Sequence, residues 1–87
     1  MHAIMIHTNI TDLAEAKRSL VEEVIPMIKG APGFLGAYFV AIDDSNGFSI
    51  EVFETEEQAL AAAPPEGAKA PGVRLDTLQF GEVIGSA

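Results

Sequence analysis

The chain has 87 residues, 13 acidic and 5 basic side chains and a formal charge of -8. This length allows one domain with a single shallow core, and the charge repels phosphate backbones and anionic lipid heads, which excludes nucleic-acid and membrane-surface partners as expectations. There is no cysteine, so disulfides and thiolate metal sites do not contribute; no apolar run approaches the roughly 20 residues of a membrane span, and no secretion signal is recognisable, so the expectation is one cytoplasmic domain over residues 1–87.

Residues 2–10 alternate in the manner of a strand, with Ile4 and Ile6 on one face and Met5, His7 and Asn9 on the other. Thr11 or Asp12 then caps a helix, and Glu15 stands three residues after Asp12, where a capping-box acid belongs. From Leu13, the positions Ala16, Leu20, Val24 and Ile28, with Val21, Ile25 and Met27, follow helical spacing and make a broad apolar stripe. Pro26 interrupts it. A proline there removes a hydrogen bond and crowds the preceding turn, which predicts a kink or a loosened last turn. Gly30 and Pro32 end the helix.

Residues 34–42 and 48–53 are rich in aromatic and branched side chains and read as a hairpin. Asn46-Gly47 between them is a strong signal for a two-residue turn. That turn sets Ile42 opposite Glu51 and Val40 opposite Phe53, with Phe34, Tyr38, Val40, Ile42, Glu51 and Phe53 on one face; a longer loop changes the register. Thr55-Glu56-Glu57-Gln58 is a capping-box pattern and opens a second helix over residues 56–63, which Pro64-Pro65 ends. Residues 64–72 read as a loop. Residues 73–84 form the last strand, with the alternation broken between Thr77 and Gln79, where a bulge is expected.

The order strand, helix, strand, strand, helix, strand is the βαββαβ or split βαβ arrangement: an α+β, ferredoxin-like fold with an antiparallel sheet, strand 1 between strands 3 and 4, and both helices on one face. The other face still carries large apolar residues. At roughly 1.5 to 3 kcal/mol for each such side chain fully buried, leaving about five of them wet forgoes on the order of 10 kcal/mol, comparable with a small domain's whole stability. The expectation is a homodimer whose sheets pack face to face as a dimeric α+β barrel.

The phrase Ala31-Pro32-Gly33-Phe34, the strand end Ile50-Glu51-Val52-Phe53-Glu54 and the helix start Thr55-Glu56-Glu57-Gln58-Ala59 resemble the small antibiotic-biosynthesis monooxygenase-like proteins of the dimeric α+β barrel superfamily. The resemblance implies a cofactor-independent monooxygenase acting on a small aromatic or polyketide-type compound, in a pocket between sheet and helices or in the barrel lumen. A non-catalytic small-molecule-binding or stress-related homodimer of the same fold is the alternative. Haem-degrading members carry a tryptophan closing strand 3 and an iron-ligating histidine on helix 2; this chain has Phe53 at the matching strand position and no tryptophan, so no cofactor is expected.

Five residues carry the candidate chemistry. His7 is a proton acceptor suited to neutral pH, and Asn9 a hydrogen-bond donor to a carbonyl or phenolate; the plainer alternative puts both at a solvated strand end. Tyr38 and Phe53 flank a planar ligand, or simply pack the barrel. Glu51, if it faces the interior, is a second candidate base; otherwise it pairs across a dimer with Arg74. His2 and His7 point to opposite faces and form no metal pair, so no metal site is expected.

Overall fold

The computed structural model describes all 87 residues. Strand β1 (His2–Ile10) leads into helix α1, which has three segments: α-helical over Leu13–Ser19, a π turn over Leu20–Val24 and α-helical again over Ile25–Lys29. Strands β2 (Phe34–Ala41) and β3 (Asn46–Phe53) follow, then helix α2 (Glu56–Ala62), the two-residue strand β4 (Lys69–Ala70) and strand β5 (Val73–Glu82). The sheet is antiparallel throughout, in the order β2-β3-β1-β5-β4. The fold is therefore α+β, with β1 between β3 and β5, as a ferredoxin-like arrangement requires.

Ile4, Ile6, Phe53 and Leu75 of the sheet pack against Ile28 of α1 and Ala59 of α2. Both helices thus cover the same face. The Asp12 carboxylate accepts the Glu15 amide at 3.1 Å to start α1, and the full capping box of Thr55 and Gln58 starts α2. Gly33 sits just ahead of β2 with φ 76°, and a Cβ there would lie 1.8 Å from Gln58 Oε1. The α2 cap and the α1–β2 turn occupy adjoining space that only glycine leaves open.

The expected disturbance at Pro26 lies one turn earlier. The Ile25 amide bonds to the Leu20 carbonyl five residues back, so the widened turn takes up an extra residue just before a ring that would crowd a normal α-helical carbonyl. The extra residue rotates the following segment, and the apolar stripe is narrower than its spacing suggests. Val21 and Met27 are exposed, while Ile28 is buried.

The hairpin register differs from the expected one. Asn46 and Gly47 are the first residues of β3 rather than the turn, because the Asp43 carboxylate accepts the amides of Ser45 and Asn46 at 2.8 and 2.7 Å and builds an Asx-type reversal ahead of them. Ala37 then stands opposite Glu51, Tyr38 opposite Ile50 and Val40 opposite Phe48. This shift is an odd number of residues, so it exchanges the faces of β2 relative to β3. A further irregularity at Leu35 returns Phe34 to the same side as Phe53, where the two rings meet edge to face with centroids 5.8 Å apart.

The ladder of β1 on β5 shifts between His7 and Thr8, which leaves Asp76 as the bulged residue, one position before the stretch from Thr77 to Gln79 where alternation was expected to fail. The segment 64–72, expected as a loop, contains β4, which folds back on β5 through Gly72. On the face without helices, Tyr38, Val40 and Phe48 are exposed, Tyr38 by 78%. No helix is long and apolar enough to cross a membrane.

Candidate functional site

Between α1 and the helix-covered face of the sheet lies a cavity of about 700 Å³, within the range of small-molecule sites. Its floor comes from alternate strand residues: Ile6 and Thr8 of β1, Phe39 and Ala41 of β2, and Gly47, Ser49 and Glu51 of β3. The small side chains at positions 41, 47 and 49 leave the space open. Its roof is α1, where Ala16, Leu20, Val24 and Ile28 line the cavity. Leu20 and Val24 bound the π turn, so the distortion forced by Pro26 shapes the roof. Of α2 only Ala62 takes part; the alanine-rich second helix, which favoured a crevice, contributes little to this one.

Glu51 is the chemically distinctive residue. It stands between Ile4 and Ala37 in the sheet, is only 7% exposed and lines the cavity. Burial alone pushes its carboxyl up to about 7, with no hydrogen bond or neighbouring cation holding the charge. A carboxyl so placed exchanges a proton near neutrality and has a free oxygen for a ligand. The alternative pairing across a dimer with Arg74 does not fit, because Glu51 faces the helices and not the open face of the sheet. Among the neighbouring hydroxyls, Ser19 donates to Glu23 at 2.8 Å.

The five candidate residues do not form one constellation. Glu51 and Phe53 face the helices; His7, Asn9 and Tyr38 belong to the opposite face. Tyr38 and Phe53 therefore cannot flank the same ligand within one chain. Phe53 is fully buried core. His7 is tied down at both ring nitrogens, with Nδ1 2.9 Å from Asp76 Oδ2 and Nε2 3.2 Å from Asn46 Oδ1. The Asn46 amide nitrogen donates to both Asp43 carboxylate oxygens at 3.0 and 3.2 Å, which fixes its oxygen toward the imidazole. With both ring nitrogens facing fixed partners, His7 presents neither of them to a substrate, and it acts as a clasp between the bulge of β5 and the β2–β3 turn.

Lys17, Lys69, Ser49 and Thr8 line the cavity and were not singled out from the sequence. The available signal was the run of small or polar residues at alternate positions, Gly47, Ser49 and Glu51, which reads as an unfilled strand face once the correct register is known. No group of three or more histidine or acidic side chains is placed to hold a metal ion. Neither a protein-family model, nor a curated protein, nor a solved structure matches this chain.

Proposed function

We propose that the cavity under α1 binds a small, largely apolar aromatic compound and that Glu51 takes a proton from it, in the manner of a cofactor-independent monooxygenase. The observation that carries this reading is the Glu51 carboxyl, 7% exposed, lining a cavity of about 700 Å³ with its affinity for protons raised by burial to about 7. For an anthrone-type substrate the balance is complete without a cofactor. Glu51 removes a proton from the ring methylene, the carbanion reduces O2 and combines with it as a hydroperoxide, and loss of water leaves a carbonyl. One oxygen atom enters the product and the other leaves as water. The protein's part is orientation, desolvation and proton transfer, and the sequence resemblance of residues 31–34 and 50–59 supports this class. Oxygen consumption with a panel of hydroquinones and anthrones tests it, with Glu51→Gln as the control.

A second reading, a binding protein without turnover, is favoured by the lining itself. Eighteen of the 27 residues around the cavity are hydrophobic, and one carboxyl in such a pocket can orient a ligand without converting it. Saturable binding with no oxygen uptake would select this reading.

The working unit in either reading is a homodimer that covers the open sheet face. Tyr38, Val40, Ile42 and Phe48 are 78%, 54%, 62% and 41% exposed in the single chain, and a second copy of the same sheet supplies the apolar cover they lack.

A further inference from the structure

Three hydroxyl groups line the cavity, on Thr8, Ser19 and Ser49, and they stand in different states. Ser19, in the roof, is committed to Glu23. Ser49, in the floor, is only 7% exposed, and its hydroxyl takes part in no hydrogen bond. Its cross-strand neighbours are Ile6 and Phe39, whose side chains offer it neither donor nor acceptor. A buried hydroxyl without a partner is unfavourable, so this position calls for a bond that the chain itself does not make. Nor is the hydroxyl walled in. The one side-chain polar atom that is both sealed and unpartnered is His2 Nδ1, so Ser49 Oγ keeps access to the open space above it.

Ser49 and Glu51 lie on the same face of β3, opposite Ile6 and Ile4 of β1, and two residues of one strand set them about 7 Å apart. Both line the cavity and neither has a partner within the chain. Their chemistry is complementary: the carboxylate accepts and the hydroxyl donates. Thr8 is farther off, because it pairs with Gly47, four residues along β3 from Glu51. Around the pair the lining is apolar, with Ile6, Phe39, Val24 and Ile28. This layout matches a conjugated ring system that gives up a proton at one atom and gathers the resulting charge on an oxygen across the ring. A ring ketone with an acidic C–H on its far side meets both groups at once. A hydroquinone, in which proton and charge share one oxygen, meets them one at a time.

We infer that the ligand of this cavity is a fused-ring aromatic ketone, its carbonyl oxygen accepting from the Ser49 hydroxyl and its acidic hydrogen turned to Glu51. This rests on the reading of the cavity as a ligand site and adds the class of ligand and a second anchor. In the oxygenation, Ser49 donates to the oxygen on which charge develops as Glu51 takes the proton, and a donor already in place in an apolar site stabilises that transition state more than the ground state. In binding without turnover the same bond fixes the orientation of the ketone.

Fluorene and 9-fluorenone share one skeleton and differ by a methylene against a carbonyl, so titrating both into the full chain isolates the carbonyl contact. The titrations are done at pH 8, where the Glu51 carboxyl is ionised and can only accept. Ser49→Ala should weaken 9-fluorenone about tenfold and leave fluorene within about twofold, and Ser49→Thr, which keeps the hydroxyl, should restore the ketone. The carbonyl stretch of bound 9-fluorenone, which reads the bond itself, should move to higher frequency in Ser49→Ala. With anthrone as substrate, Ser49→Ala should lower kcat about 100-fold with KM within about threefold. Loss of ketone affinity in Ser49→Ala with no oxygen uptake by wild type upholds the ligand class and selects binding without turnover. Ketone affinity untouched by Ser49→Ala, or lost with Thr8→Val in its place, overturns the Ser49 contact and leaves the cavity reading standing. No binding of either probe, or binding indifferent to Ala41→Phe, which narrows the cavity at its exposed edge, overturns the two together.

Discussion

His7 and Glu51 lie on neighbouring strands but on opposite faces of the sheet: Glu51 pairs with Ile4 and His7 with Phe48, and positions 4 and 7 of one strand differ by an odd number. The two candidate bases therefore serve different parts of the molecule. Glu51 addresses the cavity under α1, and His7 addresses the bulge and turn at the strand ends.

Activity should follow that division. Glu51→Gln keeps the shape of the side chain but cannot accept the proton, so any oxygenation should fall by at least about 100-fold, the lower end of general-base assistance. The wild-type rate should rise with pH through about 7 as the carboxyl ionises. His7→Asn should change the rate by less than about threefold. An oxygen electrode with an anthrone substrate reads all three, and a Glu51→Gln variant as fast as the parent would remove Glu51 from the chemistry.

Stability should show the same carboxyl with a definite sign. The folded chain holds the Glu51 proton up to about 7 whereas the unfolded chain releases it near the ordinary carboxyl value of 4.5, so between these values the native state binds more protons and stability falls as pH rises. At roughly 1.4 kcal/mol per pKa unit, Glu51→Gln should be more stable than wild type by about 1 to 3 kcal/mol at pH 8 and nearly equal to it at pH 4. Urea titrations at the two pH values give the difference directly; a constant offset would mean that the carboxyl is not desolvated.

The clasp around His7 should matter modestly. Asp76→Ala removes the carboxylate 2.9 Å from His7 Nδ1, and a partly exposed bond of this kind contributes about 0.5 to 1 kcal/mol. His7→Ala should cost a similar amount, and the double variant should cost less than the sum of the two, because both remove one interaction. Full additivity in urea melts would show the two residues to be independent.

Gly33→Ala should be much worse than its size suggests. The new methyl would meet Gln58 Oε1 at 1.8 Å on a backbone with φ 76°, so strain and a broken α2 cap act together, and a loss of about 2 to 3 kcal/mol is expected. Adding Gln58→Ala should recover the steric part and leave about 1 kcal/mol of backbone strain. Thermal melts of the single and double variants separate the two.

Association rests on the open face. Phe48→Glu, at a side chain already 41% exposed in the single chain, should leave the fold intact and convert a homodimer to a monomer in sedimentation at micromolar concentration. Removing residues 81–87, where Ile84 is 95% exposed, should weaken the dimer if this segment packs on the partner. A wild-type monomer at that concentration would dispose of the homodimer.

The order of the two helices and the four long strands, both helix caps, the faces of β1, the central place of β1 in the sheet and an irregularity next to Asp76 were legible in the sequence, because each depends on local chemistry or on a short period; the two-residue strand β4 was not. Asp12 with the Glu15 amide, Thr55 with Gln58, and alternating Ile4 and Ile6 act within a few residues of themselves. The β2–β3 register was not legible. Asn46-Gly47 is a good turn on local grounds, but Asp43 offers a competing reversal a few residues earlier, and the odd shift between the two exchanges the faces of whole strands. The floor of the site follows from that exchange: Tyr38 parts from Phe53, Phe39 and Ala41 come beside Ser49 and Glu51 under α1, and the space above them stays open. Gly72, 60 positions beyond Asp12 in the chain, comes against the first turn of α1 only because it carries no side chain there. No local pattern records such a long-range close approach, so the tertiary structure alone decided where the cavity lies and which charges border it.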